Sequence, residues 1–347
     1  MIQTRGYAAT APHTPLAPFE FSRRDLGARD VQIEISYAGI CHSDIHQVRE
    51  EWGPSIFPMV PGHEIVGKVV ALGSEAGKHK IGDTVGVGVF VDSCRNCANC
   101  LAGNEQYCLE GLVPTYNGYE KDGTTPTYGG YSKVIVIDER YVLRVPSSLL
   151  ISGVAPLLCA GITLYSPLKH WSAGPNKRVG IIGLGGLGHM GVKFAHALGA
   201  EVTLFSHSPG KEADARRFGA DHFVLGSDTE ALKKDRNSYD LILSTVSADM
   251  DLNPYLKLLG MDSTLVLIGL PGKPLAIAAE NLLSQRRRVA GSMIGGIQET
   301  QEMLDFCGEH GIVSDVEVVS AGEINLAYDR TVKSDVKYRF VIDASTF

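Results

Sequence analysis

The sequence contains no apolar run of about 20 residues, the length that a transmembrane helix needs. Its first twenty residues, MIQTRGYAATAPHTPLAPFE, also lack the apolar region that is typical of a signal peptide. We therefore expect a soluble, cytoplasmic protein with no membrane partner.

The chain also lacks an excess of positive charge, because 32 Lys and Arg residues stand against 39 Asp and Glu residues and give a net charge of −7. Proteins that bind nucleic acids rely on basic surfaces that neutralise phosphate groups. We therefore expect no nucleic-acid partner. The length of 347 residues exceeds the size at which a single hydrophobic core usually stops growing, so it predicts two domains.

Cysteine is scarce, with seven residues in the chain, yet residues 94–108 read CRNCANCLAGNEQYC. Clustered thiols in a cytoplasmic protein indicate a metal site or a redox group, whereas two disulfides would need an oxidising compartment. Four thiolates fill the four positions of tetrahedral zinc and leave none for a substrate. We predict a closed, structural zinc site formed by Cys94, Cys97, Cys100 and Cys108.

The strand patterns divide the chain. Runs such as VQIEISYAGI and EIVGKVVALG, bounded by Gly and Pro, predict a β-rich domain with long loops. From about residue 153, apolar strands alternate with helical sequence, which predicts a doubly wound parallel sheet. Near the end, DVEVVS and VKYRFVIDA are again predicted strands that could rejoin the first domain.

GLGGLG at residues 183–188 matches the G-x-G-x-x-G fingerprint and lies between the predicted strand RVGII and a predicted helix. Gly183 would permit the tight turn, Gly185 the approach of a pyrophosphate, and Gly188 close packing of helix on strand. Gly186 and Leu187 lie in the same turn and are further candidate contacts. A glycine-rich turn without a ligand is the alternative.

The end of the second strand predicts which dinucleotide binds. NAD sites usually carry an acidic residue about 20 residues after the fingerprint, and Ser206 stands at that point here. His207, Ser208 and Lys211 follow, and hydroxyl and ammonium groups can bind a 2′-phosphate that a carboxylate would repel. We therefore predict NADP(H). The alternative is that these are turn residues and a solvated lysine.

A second metal site is indicated by Cys41 in CHSDIH, His63 in PGHE and Cys159 in PLLCAGITLY. Two thiolates and one imidazole leave one tetrahedral position vacant, which is the pattern of catalytic zinc. The spacing alone is not specific, since a cysteine in an apolar helix is more often a packing residue.

Taken together and in this order, CHSDIH, PGHE, the four-cysteine segment, PLLCAGITLY and GLGGLG resemble the zinc-containing medium-chain alcohol dehydrogenases, in their cinnamyl alcohol dehydrogenase-like branch. The resemblance implies an α/β protein with a GroES-like catalytic domain at residues 1–152, a Rossmann domain at 153–295, and a segment, 296–347, that returns to the catalytic domain. It also implies two zinc ions per chain, one catalytic and one structural, and a homodimer.

The resemblance assigns roles by position. Cys41, His63 and Cys159 correspond to the catalytic zinc ligands, and Glu64 to a neighbouring carboxylate that can replace the water on the metal. Asp44 resembles the carboxylate that orients a ligand histidine. Ser43 and His46 resemble the two protein members of a proton relay. Trp52 resembles a substrate-pocket residue, and Met293 and Ile294 are further pocket candidates. Thr163 follows Cys159 by one helical turn, so it could face the nicotinamide.

The implied reaction is hydride transfer between NADP(H) and a primary alcohol or aldehyde, with broad specificity that includes aromatic and medium-chain aldehydes. An NAD-linked zinc alcohol or polyol dehydrogenase of the same fold is the nearest alternative. A zinc module that serves only for binding is a third, but it leaves GLGGLG and PGHE without a role.

Overall fold

The structure is a computed structural model that describes residues 1–347. The chain forms two compact units: unit 1 contains residues 1–162 and 295–347, and unit 2 contains residues 163–294. The domain limits expected from the sequence lie after residues 152 and 295.

The N-terminal part of unit 1 consists of short strands joined by loops. Its strands are β1 (Ile2–Ala8), β2 (Ala17–Arg23), β3 (Asp30–Ile40), β4 (Ile65–Leu72), β5 (Thr84–Val87), β6 (Phe90–Asp92), β7 (Val113–Pro114), β8 (Gly118–Tyr119), β9 (Pro126–Thr127), β10 (Val134–Asp138) and β11 (Leu143–Arg144). Two short helices interrupt them, α1 (His42–Val48) and α2 (Ala98–Leu101).

Unit 2 alternates strands with helices. Helix α3 (Ile151–Val154) lies before unit 2 in the chain, and α4 (Ala160–His170) continues into it. Its strands are β12 (Arg178–Ile182), β13 (Glu201–Ser206), β14 (His222–Leu225), β15 (Tyr239–Ser244), β16 (Leu259–Leu267) and β17 (Arg288–Gly291). Its helices are α5 (Gly188–Ala197), α6 (Glu212–Arg217), α7 (Thr229–Lys234), α8 (Asn253–Leu256) and α9 (Ala279–Leu283).

The C-terminal segment of unit 1 completes the fold with two helices and two strands: α10 (Ile297–His310), β18 (Val316–Val319), α11 (Ile324–Val332) and β19 (Arg339–Asp343). β19 pairs antiparallel with the second half of β3, and β18 pairs parallel with β19. β19 and β18 therefore belong to the same sheet as β3.

The main sheet of unit 1 has seven strands in the order β11-β5-β4-β3-β19-β18, with β10 on the first half of β3. β3 is central, since it pairs with β4, β10 and β19. Its apolar side chains, including Val31, Ile33 and Ile35, are buried while Glu34 is exposed. This alternation is what a half-buried strand requires.

All six strands of unit 2 are parallel, in the order β14-β13-β12-β15-β16-β17. The order reverses between β12 and β15, as in the Rossmann fold, where ligands bind beyond the carboxyl ends of the strands at that point. The strand–turn–helix prediction around GLGGLG is confirmed, since the turn connects β12 to α5. The predicted α/β architecture is likewise confirmed.

No single helix is both long enough and apolar enough to cross a membrane. Ile151–Leu158 and Ala160–His170 meet the length and composition test only as a pair, and they are bent by 60° with respect to each other.

Candidate metal centre and cofactor site

The predicted catalytic ligands converge within unit 1. Cys41 follows β3 directly, and His63 and Glu64 directly precede β4. Because these strands are antiparallel neighbours, with Ala38 opposite Ile65, the end of one meets the beginning of the other. Cys159 is brought to the same place by the break between the 3₁₀-helix Ala155–Leu158 and α4. One ligand atom from each of the four residues lies within 4.8 Å of the others.

Asp44 fixes the histidine of this cluster. It is fully buried in the first turn of α1, and its Oδ1 atom lies 3.1 Å from His63 Nδ1 and accepts from Gly62 N at 3.1 Å. Its Oδ2 atom accepts from Cys41 N at 2.9 Å. Because Nδ1 of His63 faces Asp44, Nε2 is the nitrogen left for a metal.

Glu64 is fully buried and is paired on one side only. Its Oε1 atom accepts from Arg339 Nη2 at 2.5 Å, and the same nitrogen donates to Ile40 O at 2.9 Å. Its Oε2 atom has no hydrogen-bond partner. Gly39 leaves the room that this oxygen occupies, since a Cβ atom there would lie 2.0 Å from it. Burial raises the pKa of Glu64 to about 7, although Arg339 opposes the shift.

The donor set fits zinc. Two thiols, one imidazole nitrogen and an unpartnered carboxylate oxygen are ligand types that zinc accepts, and their mutual distances suit a single ion. Hydrogen bonding between the two thiols lowers the pKa of Cys41 well below its usual value and raises the pKa of Cys159 well above it. Thiolate is the form that binds metal, and Cys41 is the sulfur whose thiolate this environment favours.

The predicted relay residues lie along α1. Ser43 Oγ is 3.6 Å from Cys41 Sγ, and His46 follows one helical turn later. The Nδ1 atom of His46 contacts a carboxylate oxygen of Glu51. Trp52, predicted as a pocket residue, stacks on the His46 ring with centroids 4.7 Å apart and is half exposed.

The four clustered cysteines also converge, with their sulfur atoms within 4.8 Å of one another. None is in a disulfide, and the distance from Cys94 Sγ to Cys100 Sγ is 3.8 Å. Two sulfurs bound to one tetrahedral zinc at about 2.3 Å would be about 3.8 Å apart. Backbone amides point at the sulfurs, with Cys97 N donating to Cys94 Sγ at 3.3 Å and Leu109 N to Cys97 Sγ at 3.5 Å. These donors stabilise thiolates, as a metal site requires.

A hydrogen bond connects the lobe formed by residues 94–108 to the C-terminal segment. Glu105 Oε2 accepts from the backbone nitrogen of Ile297 at 3.1 Å, in the first turn of α10. A carboxylate in this position satisfies an otherwise unpaired amide and interacts favourably with the helix dipole.

The glycine turn of unit 2 has the geometry expected of a dinucleotide site. Gly183 adopts φ +92°, in the left-handed region that favours glycine. A Cβ atom at Gly188 would lie 1.9 Å from Gly183 O, so the close approach of helix and strand requires glycine there. A Cβ atom at Gly185 would meet nothing within 4 Å, so that face is open to a ligand. Gly186 and Leu187 complete the turn before α5.

The residues predicted to select NADP lie at the end of β13. Ser206 is buried and its Oγ atom accepts from Ser208 N at 3.1 Å, while His207 and Ser208 are exposed. Lys211 Nζ donates to Leu184 O at 2.6 Å, so this side chain reaches the glycine turn. The segment therefore presents hydroxyl groups and an ammonium beside the turn.

The candidates for the nicotinamide contact and the rest of the substrate pocket lie in two separate segments of the chain. Thr163 is buried, one helical turn after Cys159. Met293 is half exposed and Ile294 is buried with φ +39°, and both follow β17.

Two neighbours of the metal cluster were missed from the sequence. Arg339 is the buried first residue of β19, and a charge directly before the apolar run Phe340–Ile342 is a signal that could have found it. Tyr131, whose hydroxyl donates to Asp44 Oδ2 at 3.1 Å, is 87 residues away from its partner and carries no such signal.

The sequence matches two family models, the alcohol dehydrogenase GroES-like domain over residues 27–147 and the zinc-binding dehydrogenase over residues 186–309. It is 56% identical over 347 residues to NADP-dependent alcohol dehydrogenase C 1 of Mycolicibacterium smegmatis, covering 100% of this chain and 99% of that protein. It is 51% identical to the aldehyde reductase YahK of Escherichia coli, covering 99% of both.

Among solved structures, the cinnamyl alcohol dehydrogenase of Sorghum bicolor superimposes with a TM-score of 0.95 at 46% identity, covering 99% of this chain and 98% of that one. Identity of this extent over the whole length, together with the ligand clusters and the glycine turn, assigns the family. The chain belongs to the zinc-containing medium-chain alcohol dehydrogenases, in their cinnamyl alcohol dehydrogenase-like branch.

Proposed function

We propose that this protein is a zinc-dependent alcohol dehydrogenase and aldehyde reductase that transfers hydride between NADP(H) and a primary alcohol or aldehyde. The observation that carries the proposal is the convergence of Cys41, His63, Cys159 and the unpartnered oxygen of Glu64 within 4.8 Å. Three protein ligands with a fourth position that can be vacated are the arrangement of catalytic zinc. The four-cysteine lobe, which offers no such vacancy, would hold a second, structural ion.

Zinc would supply Lewis acidity at a carbonyl or hydroxyl oxygen. Side chains of the protein position the groups that would bind the zinc. Asp44 holds the His63 ring through Nδ1, so that Nε2 faces the cluster. Arg339 holds Glu64 by one oxygen and leaves the other directed at the site. Held in this way, Glu64 would offer Oε2 to the metal while Arg339 retains Oε1.

Proton movement is assigned to two partly buried residues of α1, Ser43 and His46. Ser43 would exchange a proton with the substrate oxygen, donating it in aldehyde reduction and accepting it in alcohol oxidation. His46 would pass that proton between the site and solvent, and Glu51 holds its Nδ1 atom. In the reducing direction, one aldehyde, one NADPH and one proton give one alcohol and one NADP⁺.

The preference for NADP(H) is supported by the chemistry at the end of β13. The loop contains no carboxylate from Ser206 to Lys211, so nothing in it would repel a 2′-phosphate. Exposed Ser208 offers a hydroxyl, and the Lys211 ammonium lies close enough to the glycine turn to contact its carbonyl at Leu184. The relative from M. smegmatis is named as NADP-dependent, which agrees with this assignment.

The substrate is proposed as a broad class of aromatic and medium-chain aldehydes, with Trp52, Met293 and Ile294 as pocket candidates. The names of the relatives from E. coli and S. bicolor, an aldehyde reductase and a cinnamyl alcohol dehydrogenase, support aldehyde chemistry. Thr163 remains the candidate contact of the nicotinamide. A homodimer is proposed from the family.

One experiment tests these proposals together. Zinc per chain is measured by mass spectrometry, and NADPH and NADH oxidation are followed with aliphatic, aromatic and sugar aldehydes. We expect two zinc ions per chain, and NADPH oxidation with the first two aldehyde classes. A preference for NADH with the sugar aldehydes would instead assign the chain to the NAD-linked polyol enzymes. Absence of turnover with every aldehyde would refute the proposal.

A further inference from the structure

Both carboxylate oxygens of Asp44 have hydrogen-bond partners, and one partner of Oδ2 is the hydroxyl of a tyrosine. Oδ1 faces His63 and Gly62 N, whereas Oδ2 accepts from Cys41 N at 2.9 Å and from the hydroxyl of Tyr131 at 3.1 Å. Both Asp44 and Tyr131 are 0% exposed. A carboxylate enclosed to this degree keeps its orientation only through such donors, because water does not reach it.

The ring of Tyr131 contacts the segment that leads to His63. A Cβ atom at Gly62 would lie 2.6 Å from Tyr131 Cδ1, and Gly62 has φ +104°. The backbone of the same segment is fastened as well, with Tyr131 N donating to Pro61 O at 3.0 Å and Gly130 N to Gly62 O at 2.8 Å. Tyr131 therefore contacts the ligand segment with its ring and the orienting carboxylate with its hydroxyl.

We propose that Tyr131 is a positioning residue of the catalytic metal centre: its hydroxyl fixes Asp44, Asp44 fixes His63, and the ring fixes the backbone before His63. The inference rests on the proposed function, because it assumes that Cys41, His63 and Cys159 bind the catalytic zinc. It goes beyond that function by placing the orientation of a ligand under the control of a residue that touches neither metal nor substrate.

The physical reason is that a metal-bound imidazole must present its nitrogen along one direction. Partners of the ligands that set this direction typically change metal affinity or activity by about 10–100-fold when removed. Without the tyrosine hydroxyl, Oδ2 keeps a single backbone donor, and the carboxylate can turn away from His63 Nδ1. The Tyr131→Phe substitution removes that hydroxyl and retains the ring against Gly62.

The chain offers a matched control. Tyr239 in β15 is also buried, and its hydroxyl contacts a carboxylate oxygen, Asp235 Oδ2, at the same distance of 3.1 Å, as well as Thr203 Oγ1 at 2.9 Å. Tyr239→Phe therefore removes a phenol–carboxylate contact of the same length, together with the contact to Thr203, in unit 2, where no ligand of the cluster lies. Both variants lose a buried hydrogen bond, but only Tyr131→Phe loses one that holds a metal-orienting group.

The experiment uses the full-length holoenzyme with Co²⁺ exchanged into the catalytic site. The readouts are the visible absorption bands of Co²⁺, the rate at which a chelator removes this ion, and kcat and KM for an aldehyde with NADPH. For Tyr131→Phe we expect shifted Co²⁺ bands, metal release about 10-fold faster or more, and lower kcat with little change in the KM for NADPH. For Tyr239→Phe we expect bands and a release rate equal to those of the unmodified enzyme.

Equal Co²⁺ bands and equal release rates in the two variants would overturn the proposal, because Tyr131 would then act only on stability. If Tyr131→Phe does not fold, 3-fluorotyrosine introduced at position 131 keeps the ring and the hydroxyl but alters its donor strength. Shifted bands then support the proposal, and unchanged bands overturn it. Failure of the proposed function is distinguishable, since the unmodified enzyme itself would then lack the Co²⁺ bands or aldehyde turnover.

Discussion

Alanine substitutions at Gly185 and Gly188 should separate cofactor binding from folding. At Gly185 the added Cβ would meet no protein atom within 4 Å, and the residue does not have a positive φ. We therefore expect Gly185→Ala to unfold at the same temperature as the unmodified protein. Because the backbone must approach the pyrophosphate at this point, NADPH affinity should fall by about 10-fold or more, which corresponds to about 1.4 kcal/mol.

At Gly188 the added Cβ would lie 1.9 Å from Gly183 O and 3.3 Å from Thr245 Oγ1. A clash with backbone cannot be relieved by a side-chain rotation, so β12 and α5 must separate. Overpacking of this kind typically costs about 1–3 kcal/mol, and Tm should fall by several degrees. NADPH affinity should fall as well, because the shift displaces the turn.

The assay is calorimetric unfolding of both variants without cofactor, together with titration of NADPH. The decisive comparison is between the two positions. If Gly185→Ala binds NADPH as tightly as the unmodified protein, or if Gly188→Ala unfolds at an unchanged temperature, the geometric reasoning about this turn is incorrect.

Four further predictions concern the other sites. Ser43→Ala should lower kcat by about 10²-fold or more while zinc content and NADPH affinity stay unchanged, as expected for a lost proton-transfer group, and unchanged kcat would remove Ser43 from the relay. Replacing Ser208 and Lys211 together by alanine should raise the KM for NADP about 10-fold or more and leave the KM for NAD unchanged, since a charge-assisted hydrogen bond contributes about 1.5–3 kcal/mol. An equal rise in the KM for both cofactors would argue against 2′-phosphate recognition. Cys97→Ser should reduce zinc from two ions to one per chain and lower the unfolding temperature, whereas retention of two ions would contradict the closed four-sulfur site. Burial raises the pKa of Tyr239 to about 12, whereas tyrosine in an unfolded chain has a pKa of about 10. The stability that the neutral Tyr239 contributes is therefore complete below about pH 10 and is lost as the pH rises to about 12. In Tyr239→Phe the denaturant midpoint should fall less over this pH range, and an equal fall in both proteins would refute the assignment.

The sequence predicts best those features that a short segment determines. The turn at 183–188 needs glycine at fixed offsets, and the four cysteines near residue 100 need only a compact loop to meet. Both patterns are local, so their geometry follows from spacing. The alternation of apolar strands with helices likewise predicts the parallel sheet.

The catalytic cluster is different, because Cys41, His63 and Cys159 meet only through the pairing of β3 with β4 and the break before α4. Spacing alone left a packing cysteine as the better interpretation of residue 159, and the family resemblance was needed to reverse it. Arg339 and Tyr131 were missed for the same reason: their partners lie 275 and 87 residues away. Trp52 was assigned to the substrate pocket, and its stacking on His46 could not be inferred from EEWG.

All four candidate ligands of the catalytic cluster belong to unit 1, while the fingerprint and the loop from Ser206 to Lys211 belong to unit 2. We therefore expect that substitutions in this six-residue loop can change the coenzyme preference without altering any of the four candidate metal ligands. Coenzyme preference and metal binding would then be adjustable separately, each by substitutions in its own unit.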